Sequence, residues 1–182
     1  IYAGVTLLSG LWLMFTSVKE EKSAGTPSSV KGILGLLGDR TILLLFFGIL
    51  CIVGLDVGMN IVTPKLLLER VPAISIEEAG YGSSWYFAAR TIGTACGAFL
   101  LIRLPEKIYF RVNIVIALIA LFALLFADSR FFILATVCVV AFTSSSIFAV
   151  LYSMAIKARP EKANEISGLM ITGVAGGALF PF

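Results

Sequence analysis

The sequence predicts an all-α polytopic membrane protein of about six transmembrane helices. Three observations predict it. Apolar residues make up 59% of the 182 positions and charged residues 14%, where a soluble domain has about half and about a quarter. Mean hydropathy is +1.00, so most of the chain needs the bilayer rather than water as solvent. The apolar residues also fall into runs close to the ~20 residues that a helix needs to cross the hydrocarbon core.

The first run is 1–18. A polar stretch, 19–40, follows, with Gly25, Pro27 and Ser28-Ser29 marking a flexible linker. The second span is expected from Thr41 to Pro64, and a loop carrying Lys65, Glu69, Arg70, Pro72, Glu77 and Glu78 separates it from a third, Ser83 to Ile102. The tight turn Arg103-Leu104-Pro105-Glu106-Lys107 leads to the fourth, Val112 to Ala127. Asp128-Ser129-Arg130 is a short connection to the fifth, Phe131 to Ile156, and the sixth starts at Ile166. The chain begins at Ile1 within one apolar run and stops at Phe180-Pro181-Phe182 within another, so both ends are expected to be cuts through longer segments.

Loop charges predict an orientation. One set of alternate loops holds Lys19, Lys22, Lys31, Arg40, Arg103, Lys107, Arg111, Lys157, Arg159 and Lys162; the other holds Lys65, Arg70 and Arg130. Basic residues concentrate in cytoplasmic loops, which puts the 19–40 linker and the 103–111 turn in the cytoplasm. Basic residues scattered through loops argue against nucleic acid, which needs a concentrated patch. There is no histidine, which removes His metal sites and Ser-His catalysis. Cys51, Cys96 and Cys138 are odd in number, lack CxxC spacing and sit in apolar runs, so each is expected to be a small buried hydrophobe. No metal or cofactor is expected.

Polar residues within the spans are the candidate functional groups. Asp56, Asn60 and Thr63 share a narrow face of the second span, and an ionised Asp at mid-membrane costs at least roughly 2.5 kcal/mol. It must therefore face protein or water, in a solute path or in a structural hydrogen-bond knot. Arg90 lies in the third span, near its outer third, with Ser83, Tyr86, Thr94 and Gly97 on its face. It either snorkels to the headgroups or turns its planar fork into a cavity. Thr143-Ser144-Ser145-Ser146 forms a polar band in the fifth span, with Ser145 and Tyr152 on one face; these hydroxyls either bond backbone carbonyls within their own helix or line a hydrophilic path. Gly168, Thr172 and Gly176 make a small-residue stripe for helix packing.

Several stretches together resemble the major facilitator superfamily, in its fucose permease-like sugar:proton symporter branch. Phe148-Ala149-Val150-Leu151-Tyr152-Ser153-Met154-Ala155-Ile156, Ser167-Gly168 and Gly176-Gly177-Ala178-Leu179-Phe180-Pro181 are similar to the family's tenth helix, short loop and eleventh helix. Phe148-Ala149 stands where the family usually has Phe-Pro. Arg90-Thr91-Ile92-Gly93 resembles the eighth helix, and Gly54-Leu55-Asp56-Val57-Gly58-Met59-Asn60 the seventh. The turn at 103–107 is similar in place to the loop between helices eight and nine, with its usual Gly-x-x-x-Asp-Arg form eroded.

The resemblance implies that 1–18 ends the sixth helix, 19–40 links two halves, and 41–182 is most of the C-terminal half. The N-terminal half would be its partner. It implies a secondary transporter of a sugar or similar solute, in a bacterial inner membrane, working by alternating access with protons. Asp56, Asn60, Arg90, Ser145 and Tyr152 would be the substrate-binding residues, with Asp56 the proton-coupling candidate. The rival readings are the same scaffold with a drug, peptide or organic-anion cargo, and a structural membrane subunit. An intramembrane enzyme is disfavoured by the missing histidine and the single mid-span Asp.

Overall fold

The computed structural model describes residues 30–72 and 74–179, and every regular element among them is helical. The helices are α1 (Val30–Gly35), α2 (Arg40–Arg70), α3 (Ile76–Arg103), α4 (Glu106–Leu125), α5 (Arg130–Ser144), α6 (Ile147–Ala158) and α7 (Ala163–Leu179). Four stretches are long and apolar enough to cross a membrane: α2, α3, α4 and the rod that α5 and α6 make end to end, Arg130–Ala158. Helix α7 is a further apolar helix, described over 17 residues. The expected 1–18 segment lies outside the described residues, as does 19–29 of the linker. Residues 30–38 of that linker are ordered as α1 and a 3-10 turn, with Leu36 buried.

The helices run longer than the hydropathy runs that announced them. Helix α2 passes through Pro64 to Arg70 and α3 starts at Ile76, so the expected 65–78 loop shrinks to a few residues. A proline has no N–H, which frees the carbonyl four residues earlier. That carbonyl, on Asn60, accepts the Ser83 hydroxyl from α3 at 3.4 Å. A neighbouring helix thus satisfies the group that would otherwise break the span. The start of α3 is fixed by a capping box, in which Ser75 Oγ accepts from the Glu78 amide and the Glu78 carboxylate accepts from the Ser75 amide.

The expected fifth span is interrupted at Ser145-Ser146, between α5 and α6. Just before the break, the hydroxyls of Thr143, Ser144 and Ser145 donate to carbonyls three residues back, on Val140, Ala141 and Phe142. Such back-bonding competes with the helical ladder and bends it. The rod is nonetheless the centre of the bundle, with 61% of its apolar stretch buried against 17% for α3.

Two apolar clusters form the core, one at each end of α2. One gathers Met59, Leu67, Tyr86, Leu124, Ile133 and Val137; the other gathers Ile42, Ile49, Ile147, Leu151, Ile166 and Met170. Ion pairs tie the helix ends together. At one end Asp39 binds Arg159 at 3.0 Å, and Glu106 binds Lys157 and, at 3.2 Å, Ser153. At the other, Arg130 binds Glu78 at 3.2 Å and Arg70 donates to the carbonyls of Leu125 and Ala127, each at 3.0 Å, at the C-terminus of α4. The alternate loops grouped for the charge count therefore do share ends. The Thr41 amide and the Arg159 guanidinium hold the Asp39 carboxyl below its ordinary 3.8. The Asp39–Arg159 link is thus fully present above that value and is lost only as pH falls through the lowered one.

Helix contacts are closest at glycine, but not along the expected stripe. A Cβ on Gly168 would meet nothing within 4 Å, whereas one on Gly177 would lie 2.6 Å from the Leu50 carbonyl oxygen. Thr172 is exposed, and the buried stripe on α7 is one residue on, at Leu169, Gly173 and Gly177. Sequence spacing fits both stripes; the α2 surface selects one. The cysteines also depart from expectation, since Cys51 is exposed and Cys96 and Cys138 are half-buried. In an apolar solvent nothing drives a small hydrophobe inward.

Helix α3 meets the α5–α6 rod at Gly93, where a Cβ would stand 2.5 Å from the Phe142 carbonyl oxygen. Gly93→Ala is expected to destabilise by about 1–3 kcal/mol through overpacking. Gly168→Ala should be neutral or stabilising by up to about 1 kcal/mol. Thermal unfolding in detergent distinguishes the two.

Candidate functional site

Asp56 is the midpoint of α2, and Arg90 stands at the middle of α3 now that α3 reaches back to Ile76. The expectation that Arg90 lies in the outer third came from starting the span at Ser83. Its true position is too deep for snorkelling to be the simple outcome. The two side chains form an ion pair, Arg90 Nη1 to Asp56 Oδ1, with side-chain exposures of 33% and 23%. Each charge at mid-membrane is expensive alone, and each is the other's compensation.

Tyr86, one turn before Arg90, is fully buried and donates its hydroxyl to the same Asp56 oxygen at 2.6 Å. Ser144, whose hydroxyl donates to Ala141 O at 3.3 Å, stands beside the pair at the end of α5. Asn60, one turn after Asp56, donates Nδ2 to the Asp56 backbone carbonyl at 3.2 Å. Its Oδ1 is buried with no partner, an acceptor without a donor. The constellation is thus a chain of polar groups crossing from α3 through α2 to the break in the central rod.

That chain opens on a cavity of about 200 Å3 lined by Ile52, Val53, Asp56, Arg90, Ser144, Phe148 and Val174. Five helices contribute, and Ser144 and Phe148 come from opposite sides of the α5–α6 break. The site lies at the seam between the two apolar clusters: Leu55 packs on one, Ile52 and Val53 on the other. A polar pair at such a seam is held by both halves of the core while keeping one open side.

Of the five sequence candidates, the structure brings together Asp56, Asn60 and Arg90. Ser145 instead donates to Phe142 O at 2.7 Å and lies against Gly93. Tyr152 donates to Ser167 Oγ at 2.8 Å, joining α6 to α7, and its ring packs on Phe148. Thr63, expected on the Asp56 face, is buried with its hydroxyl on Met59 O at 2.6 Å and takes no part. Sequence reasoning placed Tyr86 on the Arg90 face but gave it no role. The i, i+4 spacing of a phenol and a guanidinium, opposite an Asp, was the available signal. Ser144 was hidden in a run of four hydroxyl residues, where only packing decides which one faces the site.

Tyr86→Phe removes a hydrogen bond to a charged group and is expected to cost about 1.5–3 kcal/mol. Tyr152→Phe removes a neutral one and should cost only about 0.5–1.5 kcal/mol. Thermal unfolding of the two variants side by side reads the difference.

Searches of family models, of curated proteins and of solved structures find no match to this chain.

Proposed function

We propose that this chain is part of a secondary active transporter of a small polar solute, a sugar carried with protons, working by alternating access. The observation that carries the proposal is the Asp56–Arg90 pair, at the middle of two membrane-length helices and facing a cavity between helices. Ionisable groups at that depth mark solute and ion paths. The resemblance of 54–60, 90–93, 148–156 and 167–181 to the fucose permease-like branch of the major facilitator superfamily supports the same reading.

The geometry favours a neutral polyhydroxyl cargo over an organic anion. Arg90 already has its counter-charge, so an anionic cargo would have to displace Asp56. A sugar hydroxyl instead can accept from the free positions of the Arg90 fork and donate to the Asp56 carboxylate, both of which line the cavity. Protonation of Asp56 would release Arg90 from its partner and so couple proton binding to the arrangement of α2 and α3. The ion pairs at both ends of the bundle suit a half that rocks as one body against a partner half. On the charge-based orientation the 19–40 linker is cytoplasmic, and the resemblance implies a bacterial inner membrane.

The test is uptake by the full-length protein in proteoliposomes under an imposed proton gradient. Neutral monosaccharides are expected to compete with one another, with organic acids inert. Asp56→Asn is expected to lower gradient-driven uptake about tenfold or more. Competition by organic acids alone would transfer the proposal to an anion carrier, and uptake untouched in Asp56→Asn would end the proton-coupling role.

A further inference from the structure

Helices α3 and α4 are joined by a turn of two residues, Leu104 and Pro105, yet they splay apart above α5. The cleft between them is the largest cavity described, about 610 Å3. Leu100 of α3, Leu104 of the turn and Ile108 and Ile116 of α4 form its walls, and Val139 and Phe142 of α5 form its floor. The polar side chains along it are directed elsewhere: Asn113 donates to Tyr109 O at 2.9 Å and Thr143 to Val139 O at 2.8 Å. What the cleft offers an occupant is hydrocarbon.

The cleft runs from Ala89 to Leu104, roughly 22 Å at 1.5 Å per residue, a length that suits an extended acyl chain.

Charge defines the end of the cleft. Arg103 and Lys107 adjoin Leu104 and Ile108 in the chain, and both are exposed. The nearby Glu106 is held by Lys157 and Ser153. Arg103 and Lys107 themselves have no ion-pair or hydrogen-bond partner among the described residues. Arg70, Arg130 and Arg159, by contrast, are satisfied within the bundle. Two exposed cations without a partner among the described residues thus stand beside the end of an apolar groove.

We propose that this cleft is a binding site for an anionic phospholipid, with an acyl chain between α3 and α4 and the phosphate on Arg103 and Lys107. The lipid would fill the wedge that the splayed helices leave and supply the missing counter-charge. On the positive-inside orientation this is the cytoplasmic leaflet, where anionic lipids concentrate.

Native mass spectrometry of the full-length protein, delipidated and offered equal phosphatidylglycerol and phosphatidylcholine, tests the site. Phosphatidylglycerol is expected to be retained preferentially. Arg103→Gln and Lys107→Gln should each cut that preference about fivefold. Arg111→Gln, a full turn further along α4 from the 103–107 end of the cleft than Lys107, should leave it unchanged. Val139→Trp, which fills the floor, should lower retention of both lipids; if it fails to fold, the exposed Arg103 and Lys107 variants still decide the matter. Equal retention of the two lipids, a preference indifferent to Arg103 and Lys107, or a dimer of the chain that lipid does not displace would each overturn the proposal.

Discussion

The charge pair between Asp56 and Arg90 is the constraint around which the described bundle is arranged. Neither residue is tolerable alone at mid-membrane, so α2 and α3 must meet at this level and in this rotation. Tyr86 reinforces the choice by donating to the Asp56 carboxylate from within the core. Once α2 and α3 are set, the faces that remain to pack are fixed. Helix α7 takes the Leu50 side of α2 through Gly177, and the central rod takes the Gly93 side of α3.

A buried pair of this kind is weak evidence for stability, because desolvation offsets attraction. Its better-attested value is register. The apolar clusters on either side of it could tolerate small slides of one helix past another, since lipid and Leu are equally good neighbours. The pair could not. The interruption at Ser145-Ser146 stands at the same level, where Ser144 and Phe148 border the cavity. A polar pair, an interrupted helix and an open space thus coincide at one depth, while ion pairs hold the two ends.

Much of this was legible from residue pattern. The helical class and the membrane-length runs follow from composition, because so few charges leave no alternative solvent. Asp56, Asn60 and Arg90 stood out because each is costly where it sits. What sequence missed depends on neighbours. Pro64 was taken to end a span because nothing in the linear pattern says that Ser83 will satisfy the Asn60 carbonyl. Arg90 was placed too near one surface for the same reason, since α3 starts earlier, at the Ser75 cap. Ser145 and Tyr152 share a face with one another, but the choice of which hydroxyl meets Asp56 belongs to the packing of three helices. The Gly168 stripe failed by one residue against an equally spaced stripe at Gly173 and Gly177.

The central claim is that Asp56 and Arg90 stabilise the bundle as a pair and not as separate groups, and a double-mutant cycle measures that coupling directly. Asp56→Asn and Arg90→Gln, alone and together, would be compared by thermal unfolding of the full-length protein in detergent. The account predicts that each single variant loses about 2–4 kcal/mol by leaving the other charge unpaired, and that the double variant loses less than either. Additive losses, with no coupling between the two positions, would contradict it.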